Sequence, residues 1–289
     1  MTRIIAGIIS FNGLSVLPEC INSCKAAGIE QILVIDNHSR DGIAEYLLSL
    51  KDSIVLLRND YNTGFTNAAN QAIEYAHFSN FDYLLLLNQD TAFGAEMIPH
   101  LQNSFEENSA LAIVSPLHIN EQNQPEYQFE LNCSNYGIDI NSKINGTIEV
   151  PFVNAACWMM DLKKVRDTGK LLTIFKNYGS DLNYCNRVEF KGYKIGINMD
   201  SMIIHKKPDK DYQDSFLKSI KLHNAYYLAM VLNPSTKVSV GSLLSSLSTK
   251  FFYYLLRLRF RKAFLIIITQ WNILTRRYEI ERIQRNEFG

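Results

Sequence analysis

Four clusters of carboxylates and amides stand at the ends of apolar runs or in the loops after them, and these are the places where the chain could do chemistry. Residues 84–91 read Leu-Leu-Leu-Leu-Asn-Gln-Asp-Thr. An unbroken apolar run ended by polar residues reads as a strand buried on both faces, as in a parallel sheet. Such strands deliver their carboxyl ends to a ligand crevice, and here they deliver Asn88, Gln89 and Asp90. A carboxylate at that edge suits a hard divalent cation, which takes one or two protein carboxylates plus substrate phosphates; capping of the next helix is the competing role for Asp90. Asp36-Asn37 ends a second such run. Asp36 could accept from a nucleobase imide N–H or a ribose hydroxyl, or Asp-Asn-His-Ser could simply close an Asx-turn. Residues Asn59–Asn70 form an Asn- and Gly-rich loop leading into a helix, where backbone N–H groups can take diphosphate oxygens, although the loop is neither a P-loop nor GxGxxG. Ser180-Asp181 opens another helix, with Arg187 on its next turns. The helix dipole favours an ionised Asp181, and an ionised carboxylate can act as a general base; a plain N-terminal helix acid is the alternative. His205 follows an apolar strand, as a third metal ligand or as a surface histidine.

These residues need elements to hold them. Strand-like and helix-like patterns alternate through the first part of the chain: strands over Ile4–Ser10, Gln31–Asp36, Ser53–Arg58, Tyr83–Leu87 and Leu111–Pro116, and helices over Val16–Ala27, Asp41–Leu50, Thr66–His77 and Ala95–Glu107. Repeated β-α-β predicts an α/β fold with a mostly parallel sheet between helices. From His118 to Glu149 the pattern decays into a polar, Asn-rich excursion, read as a hairpin that shapes a second substrate site. Val153–Met160 is apolar again. The spacing predicts a helix over Gly179–Lys191 with Ser180 as N-cap and Gly192 at C′, short strands over Tyr193–Asn198 and Met202–Ile204, a helix over Ser215–Leu232, and two long amphipathic helical stretches over Val238–Phe260 and Lys262–Arg282.

The 289 residues suffice for one large domain or a domain with an appendage. Formal net charge is zero, so whole-molecule charge names no partner and no nucleic acid is expected. The charge is uneven, however: from Lys250 onward nine Lys/Arg face three acids, a net +6 that suggests a basic tail meeting an anionic surface. The five cysteines have no CxxC or zinc spacing, which fits reduced thiols in a cytosol. The apolar N-terminal run is too short for a signal peptide and reads as a first strand. No stretch of ~18 apolar residues predicts a transmembrane helix.

Taken together, the clusters resemble a family 2 glycosyltransferase with the GT-A fold. Leu-Val-Ile-Asp-Asn-His-Ser-Arg-Asp-Gly at 33–42 is similar to that family's strand-Asp-Asn-x-Ser-x-Asp-Gly segment. Residues 59–70 resemble its Asn-x-Gly-Phe…Asn loop, 84–91 its Asp-x-Asp-like strand end, and 178–193 the segment with its Glu-Asp base motif. The resemblance runs from about residue 3 to about 230, and its closest flavour is the rhamnosyltransferase-like subgroup of surface-polysaccharide assembly. It implies a GT-A domain over 1–232, with a nucleotide-sugar half (1–117) and an acceptor half (118–232), and a helical extension over 233–289.

It also implies inverting transfer of a sugar from a nucleotide-diphospho sugar, with dTDP-L-rhamnose favoured and UDP-sugars as the alternative, to a saccharide or lipid-linked saccharide. Ser10, Asp36, Asn62, Gly64, Phe65, Asn70, Asn88 and Gln89 would line the donor, Asp90 and His205 would hold Mg²⁺ or Mn²⁺, and Asp181 would be the base. Trp158 and Arg187 would meet the acceptor, the core being the competing place for Trp158. Two departures stand out: Asn88 replaces the first acid of Asp-x-Asp, and Ser180 replaces the Glu of Glu-Asp. They leave room for a non-catalytic nucleotide-sugar binding protein. A sugar-nucleotide pyrophosphorylase would want a Gly-rich, basic turn after the first strand, where this chain reads Phe-Asn-Gly-Leu-Ser. The enzyme is expected in the cytoplasm, peripheral at the inner face of the plasma membrane. Phe251–Trp271 mixes aromatic and apolar residues with Arg257, Arg259, Arg261 and Lys262, as an interfacial helix does; packing on the catalytic domain or a homodimer seam is the alternative.

Overall fold

The computed structural model describes residues 2–140, 145–206 and 216–288. The first half alternates as its pattern predicts: β1 (Ile4–Ser10), α1 (Leu17–Ala26), β2 (Gln31–Asp36), α2 (Ile43–Ser49), β3 (Val55–Arg58), α3 (Phe65–Phe78), β4 (Tyr83–Asn88), β5 (Thr91–Ala92), α4 (Met97–Glu107) and β6 (Leu111–Ile119). There follow α5 (Tyr127–Asn135), β7 (Thr147–Glu149), β8 (Cys157–Asp161), α6 (Leu162–Thr168), α7 (Ser180–Phe190) and β9 (Lys194–His205). The chain ends in α8 (Phe216–Val231), α9 (Val240–Leu256), α10 (Phe260–Thr275) and α11 (Arg277–Phe288).

Nine strands form one mixed sheet in the order β3-β2-β1-β4-β8-β6-β9-β5, with β7 paired to β9. Alternation along the central strands sorts the core into two layers. Ile5, Ile9, Leu33, Ile35, Leu84 and Leu86 face one side, and Ala6, Ile8, Ile32, Val34, Leu85 and Leu87 face the other. Each layer is covered by helices, so the strands are apolar on both faces, as buried parallel strands must be. Register then does the positioning: Ser10 pairs with Asp36 and Ile9 with Asn88, which brings the polar ends of β1, β2 and β4 to one edge.

The structure departs from the pattern at several elements. β8 inserts antiparallel between β4 and β6, a pairing that periodicity cannot reveal because an apolar run has no direction. The polar excursion opens on a tight reversal that bridges Ile119 antiparallel to Pro125, and then holds a helix, α5. The two short strands expected at 193–204 are one long strand, β9, whose pairing with β6 shifts register between Pro116 and Leu117. α7 starts one residue later than drawn: Gly179, at φ +82°, is the N-cap and Ser180 the first helical residue. Gly192 follows the C-cap Lys191 as expected, at φ +83°. The helix predicted from Ser215 is described from Phe216, its first residue lying outside the described residues.

Helices α8 to α11 share a third apolar cluster with Leu172, Ile174 and Phe175, so this extension packs onto the segment leading into α7. Asn183 of α7 donates to the Leu232 carbonyl at 2.9 Å, and Arg276 to the Ile174 carbonyl at 2.7 Å. No helix among the described residues is long and apolar enough to cross a membrane.

α3 lies close on the sheet because Ala68, Ala69, Ala72 and Ala76 face it and because β1 carries Gly7. A Cβ at Gly7 would sit 3.0 Å from both Ala72 Cβ and Leu84 Cδ1. Gly7→Val should therefore cost ~1–3 kcal/mol through overpacking, read as a lower urea midpoint; an unchanged midpoint would show that α3 can move away freely.

Candidate functional site

The edge formed by β1, β2 and β4 is tied together by its own polar groups. Gln89 Oε1 accepts from Ser10 Oγ and from Phe11 N, each at 2.9 Å, and its Nε2 donates to the Phe11 carbonyl at 3.0 Å. Asp36 is fully buried. Its Oδ1 accepts from Ser39 N at 3.0 Å, closing an Asx-type turn. Its Oδ2 lies 3.2 Å from Nε of the half-exposed Arg58, yet without the alignment of a hydrogen bond.

The loop before α3 is built around Asn37. Its Oδ1 accepts from Thr63 N at 2.9 Å, Thr63 Oγ1 at 3.0 Å and Asn59 Nδ2 at 3.1 Å, and its Nδ2 donates to Asn62 Oδ1 at 3.1 Å. Asn62 Oδ1 also accepts from Gly64 N at 2.9 Å. Gly64 is required here. Its φ is +82° and an added Cβ would meet the Lys176 carbonyl at 2.9 Å. Phe65 N then donates to Asn177 Oδ1 at 3.2 Å, fastening the loop to the segment that leads into α7.

His205 reaches the crevice because β5 pairs antiparallel with the end of β9, setting it opposite Thr91 and so beside Asp90. The imidazole lies between two carboxylates: Nδ1 is 2.7 Å from Glu126 Oε2 and Nε2 is 3.4 Å from Asp90 Oδ1. Burial alone would lower the His205 pKa, but the hydrogen bonds and charges of Asp90 and Glu126 prevail and raise it to about 9. Glu126 is returned to this point by a turn after β6 in which Asn120 Oδ1 accepts from Gln122 N and Gln124 N, both at 2.9 Å. The donor set fits a divalent cation. Nδ1 sits against Glu126, the outer-sphere carboxylate–histidine arrangement that orients metal-ligating imidazoles, and Nε2, once its proton is displaced, would share a cation with Asp90. One ligand atom each from His118, Glu126 and His205 also falls within 4.8 Å of the others.

Asp181 lies across the same crevice, a space of about 180 Å³ lined also by Phe65, Asn88, Glu126, Asn154 and His205. It stands in the first turn of α7, and its Oδ1 accepts from Leu182 N at 2.9 Å. Burial raises its pKa above the ordinary aspartate value, while backbone N–H bonds oppose the shift. A carboxylate destabilised in this way is a better proton acceptor than an exposed one.

Of the residues singled out in the sequence, Phe65, Asn88, Asp181 and His205 line this crevice together, with Asp90 at the far side of His205. Others sit elsewhere. Trp158 has no exposed surface and stacks near Tyr184 with ring centroids 6.0 Å apart; it is core, and cannot offer a face to a sugar. Arg187 is buried, with its guanidinium donating to the Lys170 and Thr168 carbonyls at 2.5 and 2.6 Å, so it staples the 168–170 turn to α7 instead of meeting an acceptor. Asn70 is spent on a reciprocal pair with Leu171, each bond 2.9 Å, and lines no part of the crevice. Glu126 and Asn154 are not legible in the sequence, because they come from the patternless segments after β6 and before β8, and His118 is not because β6 runs on past Pro116, where its apolar run ends.

Comparison with known proteins agrees with this architecture. The sequence profile of Glycosyl transferase family 2 matches residues 6–169. No curated protein matches the chain. Among solved structures, GalNAc-T7 with UDP, GalNAc and Mn²⁺ is similar at a TM-score of 0.60 and 13% identity, over 79% of this chain and 47% of that one. Residues 1–349 of S. aureus TarS with UDP are similar at a TM-score of 0.57 and 14% identity, over 81% of this chain and 65% of that one. The chain thus spans between about half and two thirds of these structures, and at such identities the likeness concerns the fold.

A cation and a proton compete for His205 Nε2. Because this nitrogen holds its proton up to about pH 9 in the metal-free protein, Mn²⁺ affinity measured by electron paramagnetic resonance should rise with pH through the neutral range. Glu126→Gln should weaken binding by about 10–100-fold through loss of the orienting carboxylate. Binding indifferent to both would remove His205 from the ligand set.

Proposed function

The chain belongs to glycosyl transferase family 2 and has its GT-A fold, and from that premise we propose that it is an inverting glycosyltransferase that moves a sugar from a nucleotide-diphospho sugar to a saccharide hydroxyl. The observation that carries this reading is the shared crevice of Asp181 with Asn88, His205 and Glu126, with Asp90 beside His205. One wall holds a carboxylate of raised basicity and the other a cation-binding pair. Asp181 takes the proton from the acceptor hydroxyl as that oxygen attacks the anomeric carbon. The bond to the diphosphate breaks in the same displacement, so configuration inverts and no covalent nucleophile is needed. Asp90 and His205 hold Mg²⁺ or Mn²⁺, which when bound offsets charge on the diphosphate leaving group.

Asp36 reads the base or ribose once Arg58 swings off Oδ2, and Asn62, Gly64 and Phe65 shape the loop beside it. An acceptor-only carboxylate pairs with the imide N–H of thymine and uracil alike. The rhamnosyltransferase-like motif flavour favours dTDP-L-rhamnose, and the UDP and UDP-GlcNAc in the TarS structures support a UDP-sugar as the second reading. The acceptor is a lipid-linked saccharide of surface-polysaccharide assembly, offered at the inner face of the plasma membrane, with residues 1–232 as the catalytic unit and 233–289 as its extension. The non-catalytic alternative predicts donor binding with no turnover in any acceptor mixture.

Asp181→Asn should lower kcat by ~10²–10⁴-fold and leave donor binding nearly unchanged. Since the base must be ionised and its pKa is raised by burial, wild-type kcat should fall with decreasing pH at a higher pH than an exposed aspartate would give, and the residual activity of Asp181→Asn should lose that limb. Near wild-type transfer by the variant would end the assignment. For the donor, dTDP and UDP should raise the melting temperature more than CDP in the presence of Mn²⁺, because cytosine N3 has no proton to donate to Asp36; stronger stabilisation by CDP would exclude imide recognition by Asp36.

A further inference from the structure

The surface of α8 to α10 has a composition found nowhere else on the chain. From Phe216 to Tyr278 there are ten Lys/Arg and no Asp or Glu. The turn joining α9 to α10 projects apolar side chains: Leu256 is 84% exposed, Leu258 73% and Phe260 60%. Leu258 adopts φ +54°, so the turn is a tight reversal whose crown is apolar. Arg257, Arg259, Arg261 and Lys262 alternate with these residues and are all exposed. Behind the crown, Phe264, Ile267, Trp271 and Leu274 are exposed along α10 at spacings of three and four, and so share one face. The opposite need is already met, because Ala263, Ile266, Thr269 and Ile273 are the residues α10 buries. A helix with one apolar face in its own core and a second apolar face in water has an unpartnered surface.

Resting on the reading of a lipid-linked acceptor, we propose that the α9–α10 hairpin docks the enzyme on an anionic lipid bilayer. The crown of Leu256, Leu258 and Phe260 enters the headgroup boundary, Trp271 and its neighbours follow along the helix face, and the arginines meet lipid phosphates. Charge selects this occupant over a second copy of the chain. Two such faces brought together would oppose cations with no acid between Phe216 and Tyr278 to answer them, and a stripe from Phe264 to Leu274 is too short for a coiled-coil seam. The body bearing the hairpin is anchored directly to the helix of Asp181 through Asn183 and the Leu232 carbonyl, so a docked hairpin carries the crevice with it.

The test uses the full chain with vesicles of phosphatidylglycerol and phosphatidylethanolamine, against pure phosphatidylcholine. The chain should sediment with the first at low salt, much less at high salt, and not with the second. Of the two tryptophans, Trp158 is buried and Trp271 is 70% exposed, so a blue shift of emission on binding reports Trp271. The double variant Leu258→Asp with Phe260→Asp should abolish sedimentation and the shift. Replacing Arg257, Arg259 and Arg261 by Gln should lower partition about fivefold per charge. These side chains are exposed, and thermal melting should confirm that both variants stay folded. Absence of sedimentation, or binding unaltered in the variants, overturns the proposal. A dimer in sedimentation velocity that the aspartate pair dissolves, without vesicle binding, assigns the surface to a second copy. Donor binding reads the crevice alone: its loss with docking intact would sink the transferase reading only.

Discussion

Leu84 to Leu87 lie fully buried with helices over both faces of the sheet, and that burial governs everything at the site. No polar side chain can occupy such a strand without a partner, because leaving one unsatisfied costs more than a hydrogen bond contributes. The chain's polarity therefore has to begin where the sheet ends, and Asn88, Gln89 and Asp90 emerge there together. Each is then fixed by a neighbour in or next to a different strand. Gln89 closes onto β1, Asp90 meets His205 from β9, and Asn88 donates its backbone N–H to the Ala156 carbonyl at 2.9 Å. The strand end is less a loop than a junction of four strands.

Amide side chains stabilise the loop before α3, where a P-loop would rely on glycines and a lysine. Asn37, Asn59, Asn62 and Gln71 exchange hydrogen bonds of 2.8 to 3.1 Å, so the backbone of residues 62–65 is held in shape before any ligand arrives. Preorganised dipoles of this kind need no rearrangement at the moment of reaction. The arrangement also explains why Asn70 is absent from the crevice. Its amide holds Leu171 in place, and the 168–177 segment it steadies is the one that fastens to Phe65 and leads into α7.

Two carboxylates, Asp90 and Asp181, meet different surroundings in this protein. Asp90 faces His205, its Oδ1 3.4 Å from Nε2. Asp181 sits across the crevice, where burial disfavours charge and leaves it ready to accept a proton.

Periodicity and polar strand ends were enough, from sequence alone, to determine the α/β alternation through α4, the emergence of Asp36 and Asp90 at a sheet edge, and Asp181 in the first turn of a helix, because these follow from local burial and helix-terminus chemistry. Tertiary structure decided the rest. The direction of β8 depends on which strands are free to pair. The meeting of His205 with Glu126, 79 residues away in sequence, depends on a turn after β6 and on the pairing of β9 with β5. Trp158 and Arg187 look equally suited to a ligand or to the core in one dimension, and only packing shows the one enclosed against Tyr184 and the other satisfied by backbone carbonyls. Glu126 and Asn154 reach the crevice from segments without any period, since residues that serve a site by position rather than by pattern leave no mark until the chain is folded.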